Sequence, residues 1–133
     1  MRTPAEILRE AKTIALVGAS PRPDRPSHGV MRYLLAQGYD VIPVRPSGCD
    51  EVLGVPCVRS LDQIDRPIDL VDVFRRSEET PPHAQQAVEV SAGALWLQLG
   101  VVSAESRRIA EDAGLDYVED LCTAVVHAAE IRA

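Results

Sequence analysis

The feature that most constrains this 133-residue chain is an alternation of short apolar runs with amphipathic helical stretches. TIALVG (13–18), YDVIPV (39–44), IDLVDVF (68–74) and ALWLQLG (94–100) are too short for ordinary helices and close to continuously apolar. Runs of that kind are strands buried on both faces of a parallel sheet. Helical stripes fill the gaps between them. Val30, Met31, Leu34 and Leu35 form one, capped by Ser27 and closed by Gly38. Ala84, Ala87, Val88 and Ala92 form a second, begun by Thr80, Pro81 and Pro82 and stopped by Gly93. Ile109, Ala110 and Ala113 form a third, begun by Ser103 and stopped by Gly114. Prolines at a first turn and glycines just past a last turn are the expected punctuation.

The ends of the chain fit the same plan. Thr3, Pro4 and Glu6 spell a capping box ahead of Ile7, Leu8 and Ala11, so a short helix precedes the first strand. DYVED (116–120) is a last short strand, and Cys122 to about Ile131 a closing helix. Between the second strand and IDLVDVF, residues 45–54 read as loop, 55–58 as a short strand and 61–64 as a helical turn. Right-handed crossovers turn this order into a single doubly wound α/β domain, Rossmann-like, with a mostly parallel sheet flanked by helices. One domain over 1–133, with its core about 10–128, is the expected organisation.

Composition removes several functional classes. A net charge of −6 argues against broad nucleic-acid binding. No apolar run approaches the ~20 residues of a membrane span, and the charged, amphipathic start MRTPAEILREAK lacks a signal-peptide core. A cytoplasmic protein is expected. Cys49, Cys57 and Cys122 are odd in number and contain no CxxC, so three reduced thiols are expected rather than a disulfide framework or a zinc site. His28, His83 and His127 have no metal-like spacing.

A doubly wound sheet binds ligands beyond the carboxyl ends of its strands. After the first strand stand Gly18, Ala19 and Ser20, then a loop carrying Arg22 and Arg25. Glycine permits the tight turn, and amides at the next helix start can meet an anion. There is no GxxxxGK[ST] and no full GxGxxG, so neither a P-loop nor a standard dinucleotide fingerprint is present. Where a dinucleotide site wants an acid after the second strand, this chain has Arg45, which suits a ribose bearing an extra phosphate, as in NADP or coenzyme A. Phe74, Arg75 and Arg76 follow the third long strand. Five arginines (22, 25, 45, 75 and 76) therefore fall at one end of the sheet of an acidic protein, the pattern of a polyphosphate site. Gln98 ends the fourth long strand and points either at a ligand or at neighbours needing a cap. Asp72, inside an apolar strand, needs a buried partner. No GxSxG elbow and no carboxylate pair or Ser/His/Asp set can be assembled, so catalysis finds little support.

These motifs together resemble the stand-alone CoA-binding proteins, which are similar to the N-terminal domain of the succinyl-CoA synthetase α subunit. The resemblance rests on GAS with PRPDRPSHGVMRYLLAQGYDVIPVRP, on LDQIDRPIDLVDVFRRSE, on ALWLQLGVVS, and on Asp120, Cys122 and His127, in that order over about 10–128. It implies coenzyme A or an acyl-CoA lying across the strand ends. Gly18, Ala19, Ser20, Arg25 and Pro26 would hold phosphates, and Val44, Arg45 and Pro46 would flank the nucleotide. Phe74 and Arg75 would pack near adenine or phosphate, and Gln98, Gly100 and Val101 would border the pantetheine. The chain departs from the family at Arg45, where PVNP is common, and at Leu121, where an Arg commonly precedes the cysteine. The synthetase's phosphorylated histidine lies in a second domain, so synthetase activity is not implied. The expected function is binding without evident catalysis, as a regulator or sensor. The alternatives are an NADP- or nucleotide-binding redox sensor and, behind it, a small acyl-CoA-acting enzyme using Cys122 or His127. A homodimer is left open.

Overall fold

The computed structural model describes residues 1–132. Its elements run α1 (Pro4–Glu10), β1 (Thr13–Val17), α2 (Pro26–Ala36), β2 (Asp40–Val44), β3 (Glu51–Val52), β4 (Val55–Pro56), β5 (Leu70–Val73), α3 (Thr80–Glu89), β6 (Ala94–Leu97), α4 (Ala104–Asp112), β7 (Asp116–Val118) and α5 (Thr123–Glu130). Five strands form one parallel sheet in the order β2-β1-β5-β6-β7. The chain winds from β1 outward to β2, then returns past β1 to β5 and continues the other way. The order reverses between β1 and β5, which makes the crevice beyond their carboxyl ends the natural ligand position.

Alternation along each strand divides the core into two layers. Ala15, Val17, Val71, Val73, Leu95 and Leu97 face α3 and α4, where Ala84, Ala87 and Ala110 allow close approach. Ile14, Leu16, Leu70 and Trp96 face the other layer, with Ile7 and Leu8 of α1, Met31 and Leu34 of α2, and Val126 of α5. Trp96 is completely buried, and its indole Nε1–H donates to the Leu121 carbonyl at 2.8 Å. That bond satisfies the ring's polar atom and ties β6 to the loop leading into α5. The α1 capping box forms as expected, and Ser103 caps α4 by accepting from the Ser106 amide. No helix among the described residues is long and apolar enough to cross a membrane.

Four local expectations are corrected. Helix α2 begins at Pro26 with Arg25 as its N-cap, and Ser27 is buried inside the first turn rather than capping it. Pro26 needs no amide partner at that position, so the helix starts two residues earlier than a Ser27 cap suggests. Ala113 lies exposed past the end of α4. The stretch 45–54 is not all loop: β3 and β4 form an antiparallel hairpin joined by Leu53 and Gly54, both at positive φ (52° and 80°). That hairpin overturns the expectation of three reduced thiols, because it brings Cys49 and Cys57 to a Cα separation of 6.0 Å and they form a disulfide. The separation lies in the normal range for a bridge. Cys122 remains a free thiol.

Candidate functional site

A cleft of about 1140 Å³ opens beyond the carboxyl ends of β1, β2, β5 and β6. Its first wall is the turn after β1. Gly18 has φ +85°, and a Cβ there would sit 2.3 Å from the Phe74 carbonyl oxygen. Only glycine lets β1 and β5 exit side by side at this point. The Gly18 amide donates to the Val44 carbonyl at 3.1 Å and the Phe74 amide to the Val17 carbonyl at 2.8 Å, so the three strand ends are tied together. Ser20 Oγ accepts from the Arg22 amide at 3.1 Å and shapes the loop into α2. At the α2 N-terminus Arg25 supplies no side-chain cap, its own amide donates to the Arg22 carbonyl at 3.1 Å and Pro26 has no N–H, so on the cleft wall the Ser27 amide is the first-turn donor left for a ligand. Uncapped helix amides carry a positive partial charge suited to an anion.

The charged lining is concentrated here. Arg22, Arg25, Arg45, Arg75 and Arg76 all line the cleft. Arg45 donates through Nε to the Ser47 carbonyl at 3.0 Å and through Nη1 to the Ala19 carbonyl at 3.4 Å, which clips the end of β2 to the end of β1. Arg75 pairs with Glu79 at 3.1 Å while its buried Nε has no hydrogen-bond partner among the described residues. Arg76 also pairs with Glu79, at 3.4 Å, and Arg22 with Asp24 at 3.4 Å. Among the described residues, Arg25 and Arg45 make no ion pair with any carboxylate. Their charge is therefore available to a ligand.

At the other end of the cleft the lining changes to Gln98, Leu99, Gly100, Val101 and Cys122. Gln98 is held from beneath. Its Nε2 donates to Asp72 Oδ1 at 2.6 Å and to Thr123 Oγ1 at 2.9 Å, and the Thr123 hydroxyl donates to Asp72 Oδ2 at 3.0 Å. Both amide hydrogens are spent inside the protein, which leaves the carbonyl oxygen as the part of Gln98 open to a further partner. Asp72 is wholly buried, and burial pushes its carboxyl up to about 7 against the pull of those two hydrogen bonds. The partner that a buried Asp72 requires is thus Gln98 with Thr123.

Twelve of the thirteen residues singled out from the sequence lie on the cleft wall: Gly18, Ala19, Ser20, Arg25, Pro26, Arg45, Pro46, Phe74, Arg75, Gln98, Gly100 and Val101. Val44 lies under the floor, with its side chain in the core and its carbonyl holding Gly18. Of the late motif, Asp120 is a strut: its Oδ1 accepts from the Gly100 amide at 2.7 Å and its own amide donates to the Val101 carbonyl at 3.2 Å. His127 is buried away from the cleft, with Nδ1 2.9 Å from the Tyr33 hydroxyl. Sequence reading missed Ser27, Val30, Ser47, Ser77, Glu78, Glu79 and Leu99 as lining residues. The spacing of Glu79 four residues after Arg75 was a usable signal for that pair.

Comparison with known proteins identifies relatives of this chain. A family model described as a CoA binding domain matches residues 12–128. The chain belongs to the CoA binding domain family. The Bacillus subtilis (strain 168) protein YneT, a relative in sequence, is 47% identical over 123 residues, covering 92% of this chain and 90% of YneT. A hypothetical protein from Pyrococcus horikoshii OT3 has a solved structure that superposes with a TM-score of 0.91 at 39% identity, over 96% of this chain and 92% of that one. A dinucleotide-forming acetyl-coenzyme A synthetase from Ca. Korarchaeum cryptofilum shares the fold, with a TM-score of 0.71 at 21% identity. That match covers 80% of this chain and 25% of the longer protein. The CoA binding domain match begins at Lys12 and ends at Ala128, so it takes in β1 through most of α5 and every residue of the cleft wall.

Proposed function

We propose that this protein binds coenzyme A or an acyl-CoA in the cleft at the β1/β5 crossover, as a single cytoplasmic domain that acts as a regulator or sensor rather than by its own chemistry. The observation that carries the reading is the polarity of the cleft, with unpaired arginines and an uncapped helix start at one end and a neutral lining at the other. Membership of the CoA binding domain family supports it independently.

The residues divide the ligand between them. Gly18, Ala19 and Ser20 bring backbone close to the pyrophosphate, and the Ser27 amide with the Arg25 guanidinium, set by Pro26 at the helix start, meets its charge. Arg45 and Pro46 flank the nucleotide, with Arg45 in reach of a ribose phosphate and the Val44 carbonyl keeping the floor in register. Phe74, half-buried at the cleft edge, offers the adenine an apolar surface, and the buried, unpartnered Nε of Arg75 is a donor awaiting an acceptor. Gln98, Gly100 and Val101 border the pantetheine, whose amides can meet the oriented carbonyl of Gln98. When bound, coenzyme A supplies a thiol that carries acyl groups.

The test is a thermal-shift and calorimetric titration with coenzyme A, NADP, NAD and ATP, repeated on Arg25→Ala and Arg45→Ala. A ligand at a hundred times its Kd stabilises the fold by about 2.7 kcal/mol. Loss of a charge-assisted hydrogen bond costs about 1.5–3 kcal/mol, so each variant should bind coenzyme A about ten- to a hundredfold more weakly. Preference for NADP would transfer the site to the redox-sensor reading. No shift with any of the four would overturn the proposal.

A further inference from the structure

Among the described residues six large apolar side chains are exposed: Met1, Leu53, Leu99, Val102, Leu121 and Val125. Met1 is the first residue, and Leu53 tips the hairpin. The other four lie on two segments that hydrogen bonds fasten to each other. Leu99 and Val102 stand on the loop after β6, while Leu121 and Val125 stand on the entry and first turn of α5. The two segments are fastened by the Gly100–Asp120 and Asp120–Val101 hydrogen bonds and by the Trp96–Leu121 bond beneath them. Leu99 and Val125 are 71% and 65% exposed. Neither 97–103 (LQLGVVS) nor 121–126 (LCTAVV) contains a charged residue. Asp120 joins the two segments by hydrogen bonds, and an exposed apolar rim of this kind calls for an occupant.

Resting on the coenzyme A reading above, we infer that this rim is an acyl subsite, and that the preferred ligand is an acyl-CoA with an apolar acyl chain rather than free coenzyme A. Continuity and charge select that occupant. Leu99 and Cys122 belong to the cleft wall, so the rim is a direct extension of the cleft. The arginines occupy the other end, which fixes the direction of a ligand with a phosphate head. Its thiol end then emerges beside Cys122, where an attached chain runs onto Leu99, Val102, Leu121 and Val125. A molecule charged at one end and apolar at the other matches the site along its whole length.

The experiment is calorimetric titration of the full chain with coenzyme A and with acetyl-, butanoyl-, hexanoyl- and octanoyl-CoA, on the wild type, Val102→Ser and Val125→Ser. Both variants change exposed side chains outside the cleft wall, so the fold and the affinity for free coenzyme A should be unchanged. In the wild type, affinity should rise about two- to fourfold per methylene pair on this half-open surface, then level off when the four side chains are covered. In the variants the rise should shrink several-fold. Sedimentation without ligand distinguishes the other occupant. If the five ligands bind equally tightly, the inference is overturned and coenzyme A binding stands. If the wild type is a dimer that Val125→Ser dissociates and acyl length has no effect, the rim is an interface between copies and the inference is overturned. If no ligand binds, the coenzyme A reading fails first and the acyl subsite falls with it.

Discussion

Replacing Gly18 with alanine separates two costs that are usually confounded. Gly18 and Gly38 share a left-handed backbone, at φ +85° and +96°. They differ in surroundings. A Cβ at Gly38 meets nothing within 4 Å, whereas one at Gly18 falls 2.3 Å from the Phe74 carbonyl oxygen and 3.2 Å from Arg75 Cδ. Gly38→Ala should therefore cost only the conformational penalty of a side chain at positive φ, about 1–2 kcal/mol. Gly18→Ala carries the same penalty plus the displacement of a backbone carbonyl in a packed core, a further ~1–3 kcal/mol. The neighbour is backbone and cannot swing aside, so β1 and β5 must separate at their carboxyl ends. Urea denaturation of the two variants, analysed by linear extrapolation, measures the difference directly. For a chain of this length each kcal/mol lowers Tm by roughly 3–5 °C, so a melting curve resolves it as well. Because the separation opens the anion end of the cleft, Gly18→Ala should also weaken coenzyme A binding, and Gly38→Ala should not. Equal destabilisation by the two substitutions would refute the claim that strand proximity, rather than turn conformation, requires glycine at 18.

Two other outcomes follow from buried chemistry. Asp72 has its carboxyl raised to about 7 in the folded chain against an ordinary 3.8, so between those values the native state keeps a proton that the unfolded state has lost. Stability contributed by this site should fall as pH rises from about 4 to about 7, by up to ~1.4 kcal/mol per unit, and Asp72→Asn should remove that slope. Chemical denaturation of both proteins at several pH values checks this, and parallel curves would sink it. The disulfide predicts a thiol count: alkylation of denatured protein without reductant, read by intact mass, should label Cys122 alone, and after reduction should label all three cysteines. Three labels before reduction would contradict the Cys49–Cys57 pairing.

Local pattern determined much of this protein. Continuous apolar runs of four or five residues can only be strands covered on both sides, and helical stripes closed by Gly38 and Gly114 can only return the chain to the same edge of a parallel sheet. That topology sends the residues after each strand to one end, which is why five arginines scattered over 55 positions of sequence, from Arg22 to Arg76, could be read as one site. Tertiary structure decided the rest, because it depended on partners distant in sequence or on backbone that residue preferences oppose. The hairpin turns at Leu53, a residue that rarely adopts positive φ, so neither the turn nor the Cys49–Cys57 bridge it creates was legible. Asp72 announced a need for a partner, but Gln98 and Thr123 lie 26 and 51 residues away, and only the packing of α5 over β5 and β6 brings them to it. The apolar rim arises in the same way, from two loops that individually look like ordinary connections and become one surface when Asp120 joins them.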